Sequence, residues 1–470
     1  MDSHGAAQRP TEGDVPGAGG MPPGKPDESS RRTVHAARSG AYAWIVLALL
    51  WLVYVLNFLD RQLLSILAKP IQDELGLSDG QLGRLSGLYF ALFYCILGVP
   101  VAWLADRTNR VRILAAACAL WSAATVACGM ARNYGQLAIA RMSVGVGEAG
   151  GVPPSYSIIS DYFPASRRGT ALGLFNLGPP IGQALGVAFG AKIAAAYDWR
   201  LAFVVLGLAG LVAAAAVWGV IREPRRGATD APVATEAPPA AQARVSFWST
   251  LWTFARRPTL TLVALAAGAT QFVTYGTMAF TTLFLMREKS MTLDQIAVWY
   301  ALLIAICVSG GIFLSGRLID RFARRTPRVY GYLPGTALAV SVPFFIGFVQ
   351  APTWPVALAF LAVPTFLGHF YLTPAVTLVQ NSVSARERTL AGAVLLLVMN
   401  LIGLGLGPTW LGAVSDWLRP AHPTNALQLA FYSLIPFYLL AIALHLALGR
   451  RLGRGRELLP DPVRPGGTAR

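Results

Sequence analysis

Two clusters of polar and charged residues interrupt apolar stretches of the sequence. Asn57, Asp60 and Arg61 form the first cluster, and Arg141 and Glu148 belong to the second. In a helix the members of each cluster share a face, because residues three, four or seven positions apart lie above one another. A charge inside a membrane costs at least about 2.5–3.5 kcal/mol, so such residues commonly serve a function. Carboxylates paired with arginines in a low-dielectric site can bind and release protons.

The depth of these residues in their helices predicts how they pair. Asp60 lies about 10 Å and Arg141 about 9 Å from the same end of the predicted helices. We therefore predict that Asp60 pairs with Arg141, with Arg61 close by and Arg84 as a further candidate partner. Glu148 lies about two turns deeper and is predicted to face a central cavity. The alternative interpretation is a permanent ion pair that only orients the helices.

The second half of the chain has polar residues where the first half has charged ones. Together with Asn57, five of them are expected to line the central cavity: Gln271, Tyr275, His369, Thr373 and Asn400. His369 has a side chain that can titrate near neutral pH, although a lone histidine in a helix is more often structural. A cavity with charges on one side suits an amphiphile with a polar head and an apolar body.

The composition places these clusters in a membrane protein. Of the 470 residues, 54% are hydrophobic and 13% are charged, which is half of the roughly 25% charged residues of a soluble domain. A soluble enzyme is therefore nearly excluded. The four cysteines lie in apolar stretches without metal-ligand spacing, so we predict neither a metal site nor disulfides. No pattern in the sequence predicts a cofactor.

Twelve apolar segments are long enough to cross a membrane as helices, which requires about 20 residues each. The predicted spans 1 to 12 are 41–67, 82–105, 111–131, 135–159, 169–193, 200–221, 259–286, 293–318, 329–350, 353–378, 389–415 and 427–449. The predicted fold class is an all-α membrane protein. Its expected parts are a disordered tail (1–38), two six-helix bundles (39–221 and 258–449), a linker (222–257) and a second tail (450–470).

The basic residues predict the orientation of the chain in the membrane. Of 39 Lys and Arg residues, 28 fall in the tails, the linker and the loops on one side, and eight fall on the other side. Because basic residues concentrate in cytoplasmic loops, both termini are expected in the cytoplasm and the protein in the inner (plasma) membrane. The same distribution accounts for the net charge of +16 without a nucleic-acid partner.

A short motif occurs at corresponding places in the two halves. It supplies Asp106, Arg107 and Arg110 after span 2, and Asp320, Arg321 and Arg324 after span 8. The two aspartates are 214 residues apart, and duplicated six-span units are one way to build a transporter. The motifs resemble the Gly-x-x-x-Asp-Arg-x-Gly-Arg-Arg signature of the major facilitator superfamily. This resemblance implies two pseudo-symmetric bundles, and we expect these six residues to form a cytoplasmic gate.

Further segments are similar to the spinster-like branch of that superfamily. They are Asn57 to Arg61, Gly145 to Ala149, Pro153 to Pro164, and Gly178 to Gly182. The resemblance implies proton-linked transport of lysophospholipids or sphingoid phosphates. It also implies that Asp60 and Glu148, with Arg61 and Arg141 as charge partners, take part in proton coupling or substrate binding.

Two other functions remain open at this point. Organic-anion proton symporters of the same superfamily have similar charged elements in the same spans, so a sugar acid or carboxylate is the alternative substrate. An intramembrane lipid-modifying enzyme is a remote alternative. The segment Gly145 to Gly150 matches a dinucleotide-binding pattern but lies within a span, so we interpret its glycines as close-packing positions. We expect a monomer whose partners are the substrate, protons and the lipid bilayer.

Overall fold

The structure is a computed structural model that describes residues 28–225, 247–383 and 388–454. All regular elements in these ranges are helices, which confirms the predicted all-α class. By internal contacts the chain divides into a unit of residues Met1–Ile45 and a unit of residues Val46–Arg470. The second unit contains every residue of the candidate site.

Ten helices build the described part of the N-terminal half. They are α1 (Glu28–Ile66), α2 (Ala68–Leu75), α3 (Asp79–Ser86), α4 (Leu88–Arg107), α5 (Arg110–Met130), α6 (Tyr134–Glu148), α7 (Val152–Tyr162), α8 (Ala165–Phe175), α9 (Gly178–Ala196) and α10 (Trp199–Val220). Helix α5 is central to this half, since it packs against α6 and α10, and α6 packs in turn against α4.

The described part of the C-terminal half contains eleven α-helices and two π-helices. They are α11 (Phe247–Arg256), α12 (Pro258–Lys289), α13 (Leu293–Gln295), π1 (Ile296–Tyr300), α14 (Ala301–Phe322), α15 (Val329–Gln350), α16 (Trp354–Leu367), α17 (Leu372–Asn381), α18 (Arg388–Met399), π2 (Asn400–Leu406), α19 (Gly407–Leu418), α20 (Ala426–Tyr432) and α21 (Ile435–Gly453). Helix α12 packs against α21 and π2, and both π-helices also contact the N-terminal half, π1 through α9 and π2 through α4.

Ten helical segments of the described chain are long and apolar enough to cross a membrane, and they correspond to predicted spans 1–3 and 6–12. Predicted spans 4 and 5 are each divided into two helices, α6 with α7 and α8 with α9. A proline near the start of α7 and of α9 explains the breaks, because proline has no N–H to continue a helix and is accommodated in a first turn. The first break makes Glu148 the last residue of α6.

The predicted tails and linker coincide only partly with the described residues. Helix α1 begins at Glu28, inside the segment predicted as a tail, and the residues before it lie outside the described ranges. Helix α11 lies inside the predicted linker 222–257, of which residues 226–246 lie outside the described ranges. Helix α21 continues to Gly453, four residues into the predicted C-terminal tail.

Two glycines allow α6 to approach its neighbours closely. A Cβ atom at Gly145 would lie 2.6 Å from the carbonyl oxygen of Phe90 in α4, and one at Gly147 would lie 2.6 Å from the backbone nitrogen of Trp121 in α5. Backbone atoms cannot yield to such contacts, so both positions require glycine. This supports the close-packing interpretation of the glycine pattern. The close packing of α6 also holds its two charged residues, Arg141 and Glu148, against α1, α4 and α5.

Candidate functional site

The first ion pair of the site joins α1 to α6. Asp60 and Arg141 are each 2% exposed, and the Oδ1 atom of Asp60 lies 3.7 Å from Nη1 of Arg141. The hydroxyl of Thr125 in α5 donates a hydrogen bond of 2.7 Å to the Oδ2 atom of Asp60. The structure thus brings together the two residues that helix depth predicts to pair.

The second ion pair joins Arg61 to the end of α6. Nε of Arg61 donates to Oε2 of Glu148 at 2.6 Å. Three aromatic rings surround the guanidinium, with centroids 4.8 Å away for Phe58 and 5.0 Å away for Phe90 and Tyr94. Cation–π attraction of this kind stabilises a desolvated arginine. Arg61, expected beside the Asp60–Arg141 pair, therefore has its own partner in Glu148.

The four charged groups sum to zero but are incompletely hydrogen-bonded. Among the described residues, Oδ1 of Asp60, Oε1 of Glu148, and both Nε and Nη1 of Arg141 have no hydrogen-bond partner. Removing one partner of a buried ion pair costs roughly 3–5 kcal/mol, because the remaining charge stays buried and uncompensated. Protonation of either carboxylate therefore weakens an electrostatic attraction between α1 and α6.

A small cavity of about 30 Å³ adjoins both arginines and lies between the two halves of the fold. On the N-terminal side it is lined by Arg61 and Arg141 and by Ser65 and Ser86, and on the C-terminal side by Tyr275, Met278, Ala279, Leu404 and Pro408. This volume is sufficient for one or two water molecules. The structure therefore places the charged pairs at the interface of the two halves, with Tyr275 facing them.

The other predicted cavity residues lie in several environments. Gln271 in α12 donates to the Oδ1 atom of Asn400 in π2 at 3.0 Å, so these two meet as a pair. Asn57 is buried and lines a separate cavity of about 10 Å³ within the N-terminal half. Nδ1 of His369 lies 2.8 Å from the carbonyl oxygen of Thr365 one turn earlier. Thr373 is half-buried in α17.

The structure does not support Arg84 as a partner of the buried acids. Its Nε donates to the hydroxyl of Tyr134 at 3.3 Å. Arg84 belongs to α3, which ends at Ser86 because Gly87 has a non-helical conformation. At this end of span 2 the side chain of Arg84 meets the start of α6 at Tyr134 and not the buried carboxylates.

The motif after span 2 takes part in ion pairs through Arg110. We call this end of the fold the loop-106 end and define it by residues Arg107–Arg110. Arg110 donates to Asp161 at 2.6 Å and to Glu223 at 2.7 Å. Arg107 lies over the ring of Trp103, 3.7 Å from its centroid, and the Asp106 side chain lies outside the described part of the structure. In the second motif Asp320, Arg321 and Arg324 are exposed. Arg110 thus pairs with one acid of its own bundle and one at the start of the linker.

The opposite end carries a network that the sequence did not single out. We call it the loop-76 latch and define it as Gln72 and Asp79 on the N-terminal side with Arg287, Ser415, Asp416 and Arg419 on the C-terminal side. The fully buried carboxylate of Asp79 accepts two bonds from Arg287, at 2.9 and 3.0 Å. It also accepts bonds of 2.8 Å from Arg419, 2.6 Å from Ser415 and 2.7 Å from Gln72. These bonds fasten the two halves together.

The latch also uses the start of a helix. Asp416 in α19 accepts hydrogen bonds of 2.9 Å from the backbone nitrogens of Asp79 and Gly80, the first residues of α3. A carboxylate at this position also interacts favourably with the positive end of the helix dipole. Close to the latch, Glu74 accepts bonds from Arg200 and Trp199, and these lower the pKa of Glu74 below its ordinary value.

Sequence patterns could identify only part of these contacts. Asp79 follows Ser78, whose capping box predicts the start of a helix, and an acidic residue is common in the first turn of a helix. The sequence therefore gives no sign that Asp79 also joins the two halves. Thr125 lies in an apolar helix among other small residues and carries no signal of its own. Which residues of distant helices meet depends on how the helices rotate against each other, and spacing within one helix does not determine that.

Comparisons with known proteins agree with this architecture. Residues 50–408 match the family model described as Major Facilitator Superfamily. An MFS-type efflux pump of Mycolicibacterium smegmatis is 31% identical over 86% of this chain and 92% of that protein. Human protein spinster homolog 1 is 27% identical over 90% of this chain and 84% of that protein. A hexuronate transporter of Bacillus subtilis is 26% identical over 79% of this chain and 87% of that protein.

A solved structure is similar over nearly its whole length. It is the crystal structure of a bacterial homolog to the human lysosomal transporter spinster, in an inward-facing and unoccupied conformation. It matches with a TM-score of 0.80 at 30% identity, covering 88% of this chain and 98% of that chain. The fold and the spinster-like character predicted from the sequence are therefore confirmed.

Proposed function

The chain belongs to the major facilitator superfamily, and from this premise we propose that it is a proton-coupled transporter of an amphiphilic lipid. Membership of the family makes it a multi-pass membrane transporter and excludes the intramembrane enzyme considered as a remote alternative.

The two buried carboxylate–arginine pairs carry the proposal of proton coupling. Asp60 faces Arg141 at 3.7 Å and Glu148 faces Arg61 at 2.6 Å, and all four side chains are largely removed from solvent. A proton on either carboxylate removes its attraction to the arginine and leaves that cation free to attract an anion. A ligand shifts an equilibrium between conformations only through its different affinity for them, and a proton bound here meets that condition.

The latch supports a mechanism of alternating access. It joins the two halves at the loop-76 end, and we propose that this end faces away from the cytoplasm, as the distribution of basic residues predicts. Both termini then lie in the cytoplasm of a cell whose inner (plasma) membrane holds the protein. The loop-106 motif and its counterpart at Asp320 would form the gate on the cytoplasmic side. Rocking of the two bundles would open and close these ends in turn.

The substrate we propose is a lysophospholipid or a sphingoid phosphate. A relative named as a spinster homolog supports this choice, as does a cavity between the halves with two arginines on one side and Tyr275 with apolar residues on the other. The relative named as an efflux pump is compatible with export. A sugar acid remains the alternative, because a hexuronate transporter is also similar and arginines bind carboxylates as readily as phosphates.

Transport into proteoliposomes distinguishes these substrates. The purified protein is reconstituted, a pH gradient is imposed in either direction, and uptake of a lysophospholipid, a sphingoid phosphate and glucuronate is measured. Lipid left in the outer leaflet is removed with albumin before counting, and protein-free liposomes provide the background. We expect gradient-driven transport of at least one lipid and none of glucuronate. Transport of glucuronate alone would assign the chain to the organic-anion alternative.

A further inference from the structure

The hydroxyl group of Thr125 faces two acceptors at once. The residue is 1% exposed in α5, and its Oγ lies 2.7 Å from Oδ2 of Asp60 and 2.9 Å from the carbonyl oxygen of Trp121. A hydroxyl has a single hydrogen to donate but can also accept. It can therefore donate to only one of these two acceptors at a time.

The groups around Asp60 define what its carboxylate interacts with. Arg141 faces it from α6, Thr125 and the buried thiol of Cys128 from α5, and Arg61 follows it in α1. Glu148, at the end of α6, acts on it through space. Within the described residues the Thr125 hydroxyl is the hydrogen-bond partner of Oδ2, while Oδ1 has the arginine at 3.7 Å and no hydrogen bond.

We propose that Thr125 is a positioning residue for the proton cycle of Asp60, a role that rests on the proposed proton coupling. When Asp60 is ionised, the Thr125 hydroxyl donates to Oδ2. When a proton from water binds to Oδ2, the new O–H donates to Oγ of Thr125. The Thr125 hydrogen then turns to the carbonyl oxygen of Trp121. The bond between the two side chains reverses its direction, and in both states each hydroxyl hydrogen of the Asp60–Thr125 pair has an acceptor.

The reversal has a consequence for the pH dependence of transport. A hydrogen bond to a carboxylate is charge-assisted and about twice as strong as one between neutral groups. Losing the hydroxyl therefore disfavours the ionised form of Asp60 more than the protonated form. We expect the midpoint of the pH dependence to move to higher pH by about 0.5–1 unit when only this hydroxyl is removed.

The test compares Thr125→Val with Thr125→Ser. Valine keeps the shape of threonine and removes the hydroxyl, whereas serine keeps the hydroxyl and removes a methyl group. Thr281→Val is the matched control, because Thr281 is also fully buried and bonds to the carbonyl oxygen of Thr277, but its hydroxyl faces the phenol of Tyr300 instead of a carboxylate. Initial transport rates of the lipid that the wild type carries are measured in proteoliposomes across a pH series.

We expect Thr125→Val to raise the pH midpoint, while Thr125→Ser and Thr281→Val keep the wild-type midpoint. If valine impairs folding, Thr125→Ala takes its place with the same expected shift. A valine or alanine variant with the wild-type midpoint would overturn the role of Thr125, as would a serine variant that shifts like valine. Wild-type transport without any dependence on the pH gradient would instead refute the proposed proton coupling, so the two failures are distinguishable.

Discussion

At the scale of single residues, Asp60 and Glu148 differ in how firmly each is held. Glu148 has a short bond to an arginine that also lines the cavity between the halves. Asp60 lies within the N-terminal half, where Thr125 supplies its hydrogen bond and Arg141 stands at a longer distance. A proton on either carboxylate therefore acts on an arginine that lines the cavity, through a 2.6 Å hydrogen bond at Glu148 and across 3.7 Å at Asp60.

Replacing Arg61 tests whether the second pair is needed for stability. In Arg61→Met the Glu148 carboxylate stays buried without its partner, and we expect a loss of about 3–5 kcal/mol in the free energy of unfolding. Lower pH should restore part of this stability, because a protonated carboxyl no longer leaves a buried charge. Thermal unfolding of the purified variant in detergent, recorded at several pH values, measures both effects.

Two further variants provide the controls. Arg61→Met combined with Glu148→Gln removes both charges and should recover part of the lost stability. Arg84→Met should be close to the wild type, because Arg84 contacts Tyr134 and not the buried acids. Equal destabilisation by Arg84→Met and Arg61→Met would contradict the assignment of the pairs.

The residues of the site were predictable from the sequence, but the pairing was predictable only in part. Charges in apolar segments identify Asp60, Arg61, Arg141 and Glu148 without any structure. Successive residues of a helix point about 100° apart, since a turn has 3.6 residues, so Asp60 and Arg61 reach different neighbours. Depth along the axis gives the Asp60–Arg141 pair, whereas the Arg61–Glu148 pair depends on the rotation of α1 and α6 about their axes.

At the scale of secondary structure elements, the short helix α3 joins the two halves at the loop-76 end. Its first residue, Asp79, has a fully buried carboxylate that binds Arg287 of α12 and Arg419, the residue that follows α19. Opening this end would require these bonds to break together. The latch is therefore expected to set how much of the time the loop-76 end is closed.

Replacing Asp79 tests this role of the latch. Asp79→Asn keeps the size of the side chain and removes the charge that attracts both arginines, so the closed state should lose several kcal/mol relative to the open state. Ser86 lines the cavity on the inner side of the latch. In Ser86→Cys, labelling by a membrane-impermeant maleimide added at the loop-76 side should accelerate at least about tenfold when Asp79→Asn is introduced.

The exposed pair Lys192–Asp294 is a matched control for the latch. It also joins the two halves, at 2.7 Å, but its side chains are 70% and 63% exposed. Exposed pairs contribute only about 0–1 kcal/mol, so Asp294→Asn should leave the labelling rate of Ser86→Cys nearly unchanged. If Asp294→Asn accelerated the labelling of Ser86→Cys as much as Asp79→Asn does, the loss of any charge at this end would have the same effect, which would contradict the role of the latch.

The elements themselves were predictable where the apolar stretches are continuous. Hydropathy locates spans 1–3 and 6–12, because length and apolar composition alone define a segment that can cross a membrane. It does not reveal the breaks after Glu148 and before Gly178, because hydropathy averaged over a span-length window does not register a turn of two or three residues. The prolines at 153, 154, 179 and 180 and the glycines at 150, 151 and 178 are the local signals of these breaks.

At the scale of the whole molecule, the charged site and the latch lie at different levels of the same interface. The cavity beside Arg61 and Arg141 is lined on its other side by residues of α12, π2 and α19. A change of charge at the site thus acts on helices that also carry the latch. Under the proposed proton coupling, this arrangement would link proton binding in the N-terminal half to the closure of the loop-76 end.

The measurement that tests proton coupling most directly is accumulation against a gradient by Asp60→Asn and Glu148→Gln. Wild-type and variant proteins are reconstituted at equal amounts, and the inside-to-outside ratio of the transported substrate is followed after a pH gradient is imposed. Asp294→Asn, which alters an exposed carboxylate, serves as the control. We expect the wild type and the control to accumulate substrate, and at least one of the two buried variants to equilibrate it without accumulation. Accumulation at the wild-type ratio by both buried variants would contradict the account.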